Sequence, residues 1–204
     1  MKTMIYQSDS TIASTLIKRD QRLVELFNLK KEIIVHIDDD YFVSLAHTII
    51  AQQLSTKVAT VLSNRLKDFC EGEITPSKIM DATDESLRSL GLSKQKITYL
   101  KSLATHVNDH SVDFHRFHQM TDDDVIESLI QIKGIGIWSA QMFLMFSLGR
   151  EDVFSSLDLG LRNAVKKLYD NETLTKDQIE EIASNWKPYR SIVSHYLWHA
   201  WDNT

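Results

Sequence analysis

From Phe42 onward, apolar positions recur along this chain at helical spacing. Phe42, Leu45, Ala46, Ile49 and Ile50 stand at i, i+3, i+4, i+7 and i+8, the stripe of an amphipathic helix. The stripe breaks at Ala51-Gln52-Gln53-Leu54-Ser55, where Ser55 or Thr56 caps a second helix carrying Val58, Val61, Leu62, Leu66 and Phe69. Thr75-Pro76 starts a third, since Pro suits the first helical position. Thr83 opens a short helix ending at Gly91, and Ser93 caps one bearing Ile97, Leu100, Ala104 and Val107. Thr121 followed by Asp122, Asp123 and Asp124 is another start, with acids at the positive end of the dipole. Trp138 to Leu148 is almost wholly apolar. Leu161, Ala164, Val165, Leu168 and Tyr169 form a further stripe, and Thr175 with Gln178 makes a capping box before Ile179, Ile182, Ala183 and Trp186. Pro188 opens a last helix striped by Tyr189, Ile192, Val193, Tyr196, Leu197, Ala200 and Trp201.

The first forty residues are less regular. Leu23, Val24, Leu26 and Phe27 mark a short apolar segment, and Lys30 to Ile37 reads as a turn or brief extended piece with too little alternation for a sheet. The expected class is all-α, with roughly nine or ten helices and few loops. Asn108 to Gln119 is the one polar connector. Its His110, His115 and His118 lack a carboxylate or thiolate at ligand spacing and read as surface residues.

Composition adds limits. A chain of 204 residues with 43% hydrophobic and 25% charged positions can bury one sizeable core or two lobes. Cys70 is the single cysteine, which excludes an internal disulfide and a cysteine-ligated zinc or iron-sulfur site and suits a reducing compartment. The polar, mixed segment Met1 to Ser10 and the lack of a long apolar run lead to the expectation of a protein neither secreted nor membrane-spanning. The net charge of -5 speaks against a general nucleic-acid coat without excluding a local basic face; from composition alone Lys94, Lys96 and Lys101, Lys133 and Arg150, and Arg162, Lys166 and Lys167 read as scattered surface charge.

Between two helical patterns stands Lys133-Gly134-Ile135-Gly136. Such a turn, with the start of the next helix, presents several N-H donors in a small concavity and suits one phosphate, binding backbone and not sequence. By itself it equally describes a tight helix-turn-helix corner. Asp158, taken alone, is an N-cap for the helix that follows it.

The flanks narrow this choice. Leu129-Ile130-Gln131-Ile132-Lys133-Gly134-Ile135-Gly136-Ile137-Trp138-Ser139-Ala140, then Asp152-Val153-Phe154 and Asp158-Leu159-Gly160-Leu161-Arg162, resembles the helix-hairpin-helix base-excision DNA glycosylases, and within them the DNA-3-methyladenine glycosylase II branch. The similarity continues through residues 50-57, 90-97 and 185-191 and spans most of residues 40 to 201 in order.

The resemblance implies a two-lobed helical fold with a cleft: a single unit over residues 1-204, with a central lobe at about 40-155 and a second lobe made of the N-terminal segment plus about 156-204. It implies a monomer acting on double-stranded DNA that contains alkylated purines, in the bacterial or archaeal nucleoid or the eukaryotic nucleus. Asp158 becomes the catalytic acid beside the scissile sugar, and Trp138, Trp198, Tyr41, Met142 and Tyr189 become candidates for the base pocket. Met142 replaces an aromatic found in some members. Gln53, or Leu54 beside it, becomes the wedge that fills the stack vacated by an extruded base, and Gln52, Ser55, Lys94, Lys96, Lys133, Gly134, Ile135, Gly136 and Ser139 join them as DNA contacts. Bifunctional relatives carry a lysine where Trp138 stands, and an indole cannot form their Schiff base. The implied activity is therefore monofunctional, with no cofactor required and a monovalent cation, sodium or potassium, held at the hairpin by the backbone carbonyls of Ile130, Ile132 and Gly134. A non-catalytic DNA-binding module that kept the hairpin is the alternative. The intact run from Asp158 to Arg162 favours the enzyme.

Overall fold

The computed structural model describes residues 2–201. Its contacts divide the chain into two compact units, one made of Met1–Ile37 with Leu144–Thr204 and the other of Asp38–Phe143.

The first unit begins with strand β1 (Lys2–Gln7), helices α1 (Thr11–Arg19) and α2 (Leu23–Leu29), and strand β2 (Glu32–Ile37). The strands pair antiparallel, from Lys2 opposite Ile37 to Gln7 opposite Glu32. The two-stranded sheet was not expected from the sequence. Ile33, Val35 and Ile37 point inward while Ile34 between them is exposed, so the apolar run hides the alternation. In β1 Tyr6 is the one buried side chain. Helix α1 was also missed; Ser10 caps it by accepting from the Ala13 N–H, and it buries Ala13 and Leu16. The unit resumes with α10 (Leu159–Leu168), α11 (Lys176–Ser184) and α12 (Arg190–Trp201). Their inner faces close over Leu16, Leu23, Phe27, Trp186, Tyr196 and Leu197. Trp186 is wholly buried, its indole N–H donating to Asp20 Oδ2 at 2.9 Å, which is how a large buried indole satisfies its polar edge.

The second unit holds α3 (Tyr41–Ala51), α4 (Thr56–Phe69), α5 (Pro76–Asp81), α6 (Asp84–Ser89), α7 (Lys94–Asn108), a 3-10 helix (Phe114–Gln119) and α8 (Asp122–Leu129). Thr75, Thr83, Ser93 and Thr121 each cap the helix assigned to them, accepting from the backbone N–H three residues on. Ser55 and not Thr56 caps α4, whose buried face is Ala59, Leu62, Ser63 and Leu66; Val58, Val61 and Phe69, placed on the inner stripe by the sequence pattern, are exposed. The supposed polar connector is a 3-10 helix anchored by Phe117, which is fully buried.

Helix α9 (Ile137–Phe146) carries the chain across the division, which falls between Phe143 and Leu144. The sequence reading set the lobe boundary near 155. Residues 150–154 go with the first unit because they are stapled to the start of α12. Arg190 grips the Asp152 carboxylate at 2.8 and 3.1 Å, and Ser191 Oγ donates to Arg150 O at 2.7 Å while accepting from the Val153 N–H at 2.9 Å. Twelve α-helices are present among the described residues, somewhat more than the nine or ten expected; α1 is one that the pattern did not reveal. Among those residues no helix is long and apolar enough to cross a membrane.

Candidate active site

In the second unit the hairpin runs from Ile130, the C-cap of α8, to the start of α9. Ile132 N donates to Leu129 O at 3.1 Å and Ile135 N to Ile132 O at 3.0 Å, closing successive tight turns. Gly134 has φ +88°, and a Cβ there would lie 2.2 Å from the Tyr99 ring. Only glycine meets both demands. Lys133 N donates to Ser102 Oγ at 3.1 Å, while its side chain is exposed. Gly136, Ile137 and Trp138 are open to solvent; Ile135 and Ser139 are buried, which removes the Ser139 and Ile135 side chains from direct DNA contact.

The corner between α3 and α4 lies next to this hairpin. Gln52 Nε2 donates to Gly134 O at 2.7 Å, so the side chain expected to touch DNA is spent on the hairpin backbone. Gln53 follows with φ 59°, a left-handed conformation that costs a non-glycine residue on the order of 1 kcal/mol, and its side chain is exposed beside exposed Leu54. Lys96 was also expected to reach DNA. Its ammonium instead donates to Ile50 O and, at 3.0 Å, to Gln52 O, and burial pulls its pKa below the ordinary lysine value. Lys94, two residues earlier, is exposed.

Thr48, Ala51, Gln52, Gln53, Trp138 and Met142 line a cavity of about 470 Å³ within this unit. Two of the expected pocket residues, Trp138 and Met142, thus meet the wedge corner; Tyr41 does not. Its hydroxyl is 2.8 Å from His118 Nε2, and its ring packs on Phe143 and Phe114. Thr48 and Ala51 were missed, since nothing marks them apart from their place on α3. The Thr48 hydroxyl donates to Ser44 O at 3.0 Å and the Gln52 amide is taken by Gly134 O, so the cavity walls offer an indole and a thioether more than free donors.

In the first unit Asp158 is the N-cap of α10. Its Oδ1 accepts from Leu161 N at 2.8 Å and from the Trp198 indole N–H at 3.1 Å. Trp198, expected as a pocket wall, therefore also orients the carboxylate. It is half-buried against Phe146 and His195, with ring centroids 5.6 and 5.8 Å away. Gly160 leaves space for the pair: a Cβ there would come within 3.1 Å of Asp158 Oδ1 and 3.6 Å of the indole. Asp158 N donates to Ser155 O at 3.1 Å, and Arg162 Nη1 to Ser156 O at 2.7 Å, folding the preceding loop onto α10. From the sequence Arg162 reads as one of a group of basic residues with Lys166 and Lys167 and as the end of the run beginning at Asp158; its tie to the Ser156 carbonyl is visible only in the fold. Tyr189, the remaining pocket candidate, packs against the core of this unit.

A cation at the hairpin would need free carbonyl lone pairs. Ile132 O accepts from Ile135 N and Gly134 O from Gln52 Nε2, and each keeps a second lone pair, so the carbonyls fit that demand. No cluster of three or more His, Cys, Asp or Glu able to hold a metal occurs among the described residues.

Residues 46–188 match the family model described as the HhH-GPD superfamily base excision DNA repair protein. The chain is 32% identical to a Saccharomyces cerevisiae DNA-3-methyladenine glycosylase, over 83% of this chain and 70% of that protein. It superposes on a DNA-3-methyladenine glycosidase from Bacillus halodurans with TM-score 0.90 and 36% identity, covering 97% and 92% of the two chains. The Schizosaccharomyces pombe 3-methyladenine DNA glycosylase Mag1, solved in complex with abasic DNA, gives TM-score 0.77 at 29% identity, covering 93% and 95%.

Proposed function

The chain belongs to the HhH-GPD superfamily of base excision DNA repair proteins, and from that premise we propose that it is a monofunctional DNA glycosylase, of the DNA-3-methyladenine glycosylase II type, that hydrolyses the N-glycosidic bond of alkylated purines in double-stranded DNA. The observation that carries this reading is the carboxylate of Asp158, fixed through one oxygen by Leu161 N–H and the Trp198 indole at the start of a helix.

An N-alkylated purine carries positive charge and leaves without a proton from a general acid. The developing charge is then on the sugar, where an oriented anion lowers the barrier and can direct the attacking water. Two donors on Oδ1 fix the direction in which the carboxylate presents its charge to sugar or water. Trp138 and Met142 supply a wall for the cationic base, a contact worth about 0.5 to 2 kcal/mol for an indole. With Lys133 N held by Ser102 and Ile135 N by Ile132 O, the N–H groups of Gly134 and Gly136 take a phosphate, and the Lys94 and Lys133 side chains add charge. Gln53, with Leu54 beside it, enters the stack. A monovalent cation on the carbonyls of Ile130, Ile132 and Gly134 would link hairpin to phosphate. The protein works as a monomer, and Trp138 in place of an amine leaves the product as an intact abasic strand.

Incubating methylated duplex DNA with wild type and Asp158→Asn, and measuring free 3-methyladenine and 7-methylguanine, tests the reading. Release by wild type and not by the variant is expected. Release no faster than in buffer would leave a DNA-binding protein without turnover, and strand nicking without added alkali would remove the monofunctional assignment.

A further inference from the structure

Helix α7 carries three side chains in one row, Lys96, Tyr99 and Ser102, at i, i+3 and i+6, which places them on one helical face. Each meets a different part of the DNA-facing corner. Ser102 Oγ accepts from Lys133 N, the Tyr99 ring fills the space that a Cβ at Gly134 would need, and the Lys96 ammonium donates to Ile50 O and Gln52 O. Gln52 Nε2 then closes the circuit by donating to Gly134 O.

We propose that Lys96 is a positioning residue for strand invasion: it pins the end of α3 so that Gln53 is held, before DNA arrives, in the left-handed conformation that directs its side chain outward. The proposal rests on Gln53 being the wedge. The last carbonyls of a helix have no partner within it, and a cation there is favoured by the dipole. Helices commonly solve this with glycine in the left-handed region after the last turn. Here a glutamine holds that conformation, with φ 59°, and an ammonium drawn from α7 satisfies two carbonyls just before it, those of Ile50 and Gln52. Its depressed pKa fits a cation given up by water to these oxygens. A lysine serving DNA phosphate would leave its ammonium in solvent, as Lys94 does. Because the same row props the hairpin, the wedge and the phosphate grip are fixed to one rod.

The test compares Lys96→Met, which keeps the stem and removes the donors, with Lys96→Arg, which restores them. Single-turnover excision of 7-methylguanine is measured in duplex and in single-stranded DNA, where no partner strand has to be opened. A 2-aminopurine beside a tetrahydrofuran abasic analogue reports unstacking. Lys96→Met is expected to slow duplex excision about tenfold and to suppress the fluorescence rise. Excision from single strands should stay within about twofold of wild type, and Lys96→Arg should recover both signals. Lys94→Met controls for the loss of a positive charge and should weaken both substrates alike, most at low salt. Equal slowing of the two substrates by Lys96→Met, an unchanged fluorescence rise, or failure of Lys96→Arg to rescue would overturn the proposal. Gln53→Ala separates it from its premise. If that variant behaves as wild type, the wedge assignment falls and the role of Lys96 with it; if it loses the fluorescence rise while Lys96→Met keeps it, the wedge stands and the positioning role alone falls. Should Lys96→Met not fold by circular dichroism, Lys96→Gln, which retains a shorter donor, carries the same readouts.

Discussion

The hairpin corner and the Asp158 loop solve opposite problems. In the corner, polar side chains are turned onto backbone: Gln52 onto Gly134 O, Lys96 onto Ile50 O and Gln52 O, Ser102 onto Lys133 N. What remains exposed is Gln53, Leu54, Ile137, Trp138 and, in the turn, Lys133 and Gly136. In the loop the backbone is likewise tied, by Arg162 to Ser156 O and Ser191 to Val153 and Arg150, but the ties converge on one carboxylate. A surface that takes the repeating DNA backbone needs shape and N–H donors, whereas a group that stabilises a short-lived charge needs one oxygen in a fixed direction. Damage to the first should therefore cost binding, and damage to the second should cost the chemical step.

Asp158→Asn gives the largest separation. It is isosteric and keeps an oxygen for Leu161 N–H, so the loop should stay folded while the charge is lost. Removing a preorganised stabilising group costs about 3 to 4 kcal/mol, a hundred- to a thousand-fold in the single-turnover rate, with affinity for abasic-analogue DNA unchanged. A matched fall in affinity would mean that the carboxylate serves structure first. Gly134→Ala makes the converse case. Its Cβ would stand 2.2 Å from the Tyr99 ring in a backbone with φ +88°, and crowding plus the left-handed strain should cost about 2 to 4 kcal/mol. Loss should be seen in melting temperature and in DNA affinity, while the excision rate at saturating protein falls far less. A variant with weak affinity and an equally slow saturated rate would dissolve the distinction between the two regions.

Much of this division was legible in the sequence because its parts are local. The caps at Thr75, Thr83, Ser93, Thr121 and Thr175 need only a side chain and an N–H three residues away, and all five form as read. Asp158 as a cap is the same kind of signal. What escaped depends on partners far along the chain. The sheet pairs residues 2–7 with 32–37, and no periodicity in either stretch names the other. The inner face of α4 went wrong because Val58, Val61 and Phe69 are as apolar as the residues that are buried. Lys96 looked like a phosphate ligand because a lysine near a DNA-binding turn usually is one; its carbonyl partner at Gln52 lies 44 residues away. The Trp198 indole, expected as a wall, reaches Asp158 across 40 residues.

The carboxylate side also carries a pH liability. His195 is 6% exposed, stacked on Tyr6 and packed on Phe146 and Trp198, and burial pushes its pKa from the ordinary 6.5 down to about 4. The unfolded chain takes up this proton below its ordinary value and the folded one resists until about 4, so stability is complete above that window and falls as pH drops through it. By pH 5 the loss should be on the order of 2 kcal/mol. Thermal melts at neutral pH and at pH 5 measure it, and His195→Leu should flatten the difference. An unchanged difference in that variant would assign the acid sensitivity to other groups.

Trp198→Phe is the finest cut, since it keeps an aromatic ring against Phe146 and His195 while removing, with part of the ring's bulk, the indole N–H that meets Asp158 Oδ1 at 3.1 Å. The Leu161 N–H, at 2.8 Å, would still hold that oxygen. Loss of one hydrogen bond to a charged group should slow the saturated excision rate by about tenfold or somewhat more, while affinity for abasic-analogue DNA is retained. Asp158→Asn and Trp198→Phe combined should then be no slower than Asp158→Asn alone, because the indole has no charge left to orient. If the double variant is slower by the full product, Trp198 contributes by contact with the substrate rather than through Asp158. The carboxylate would then rest on the Leu161 amide and the helix start, a backbone device of the kind that serves the hairpin.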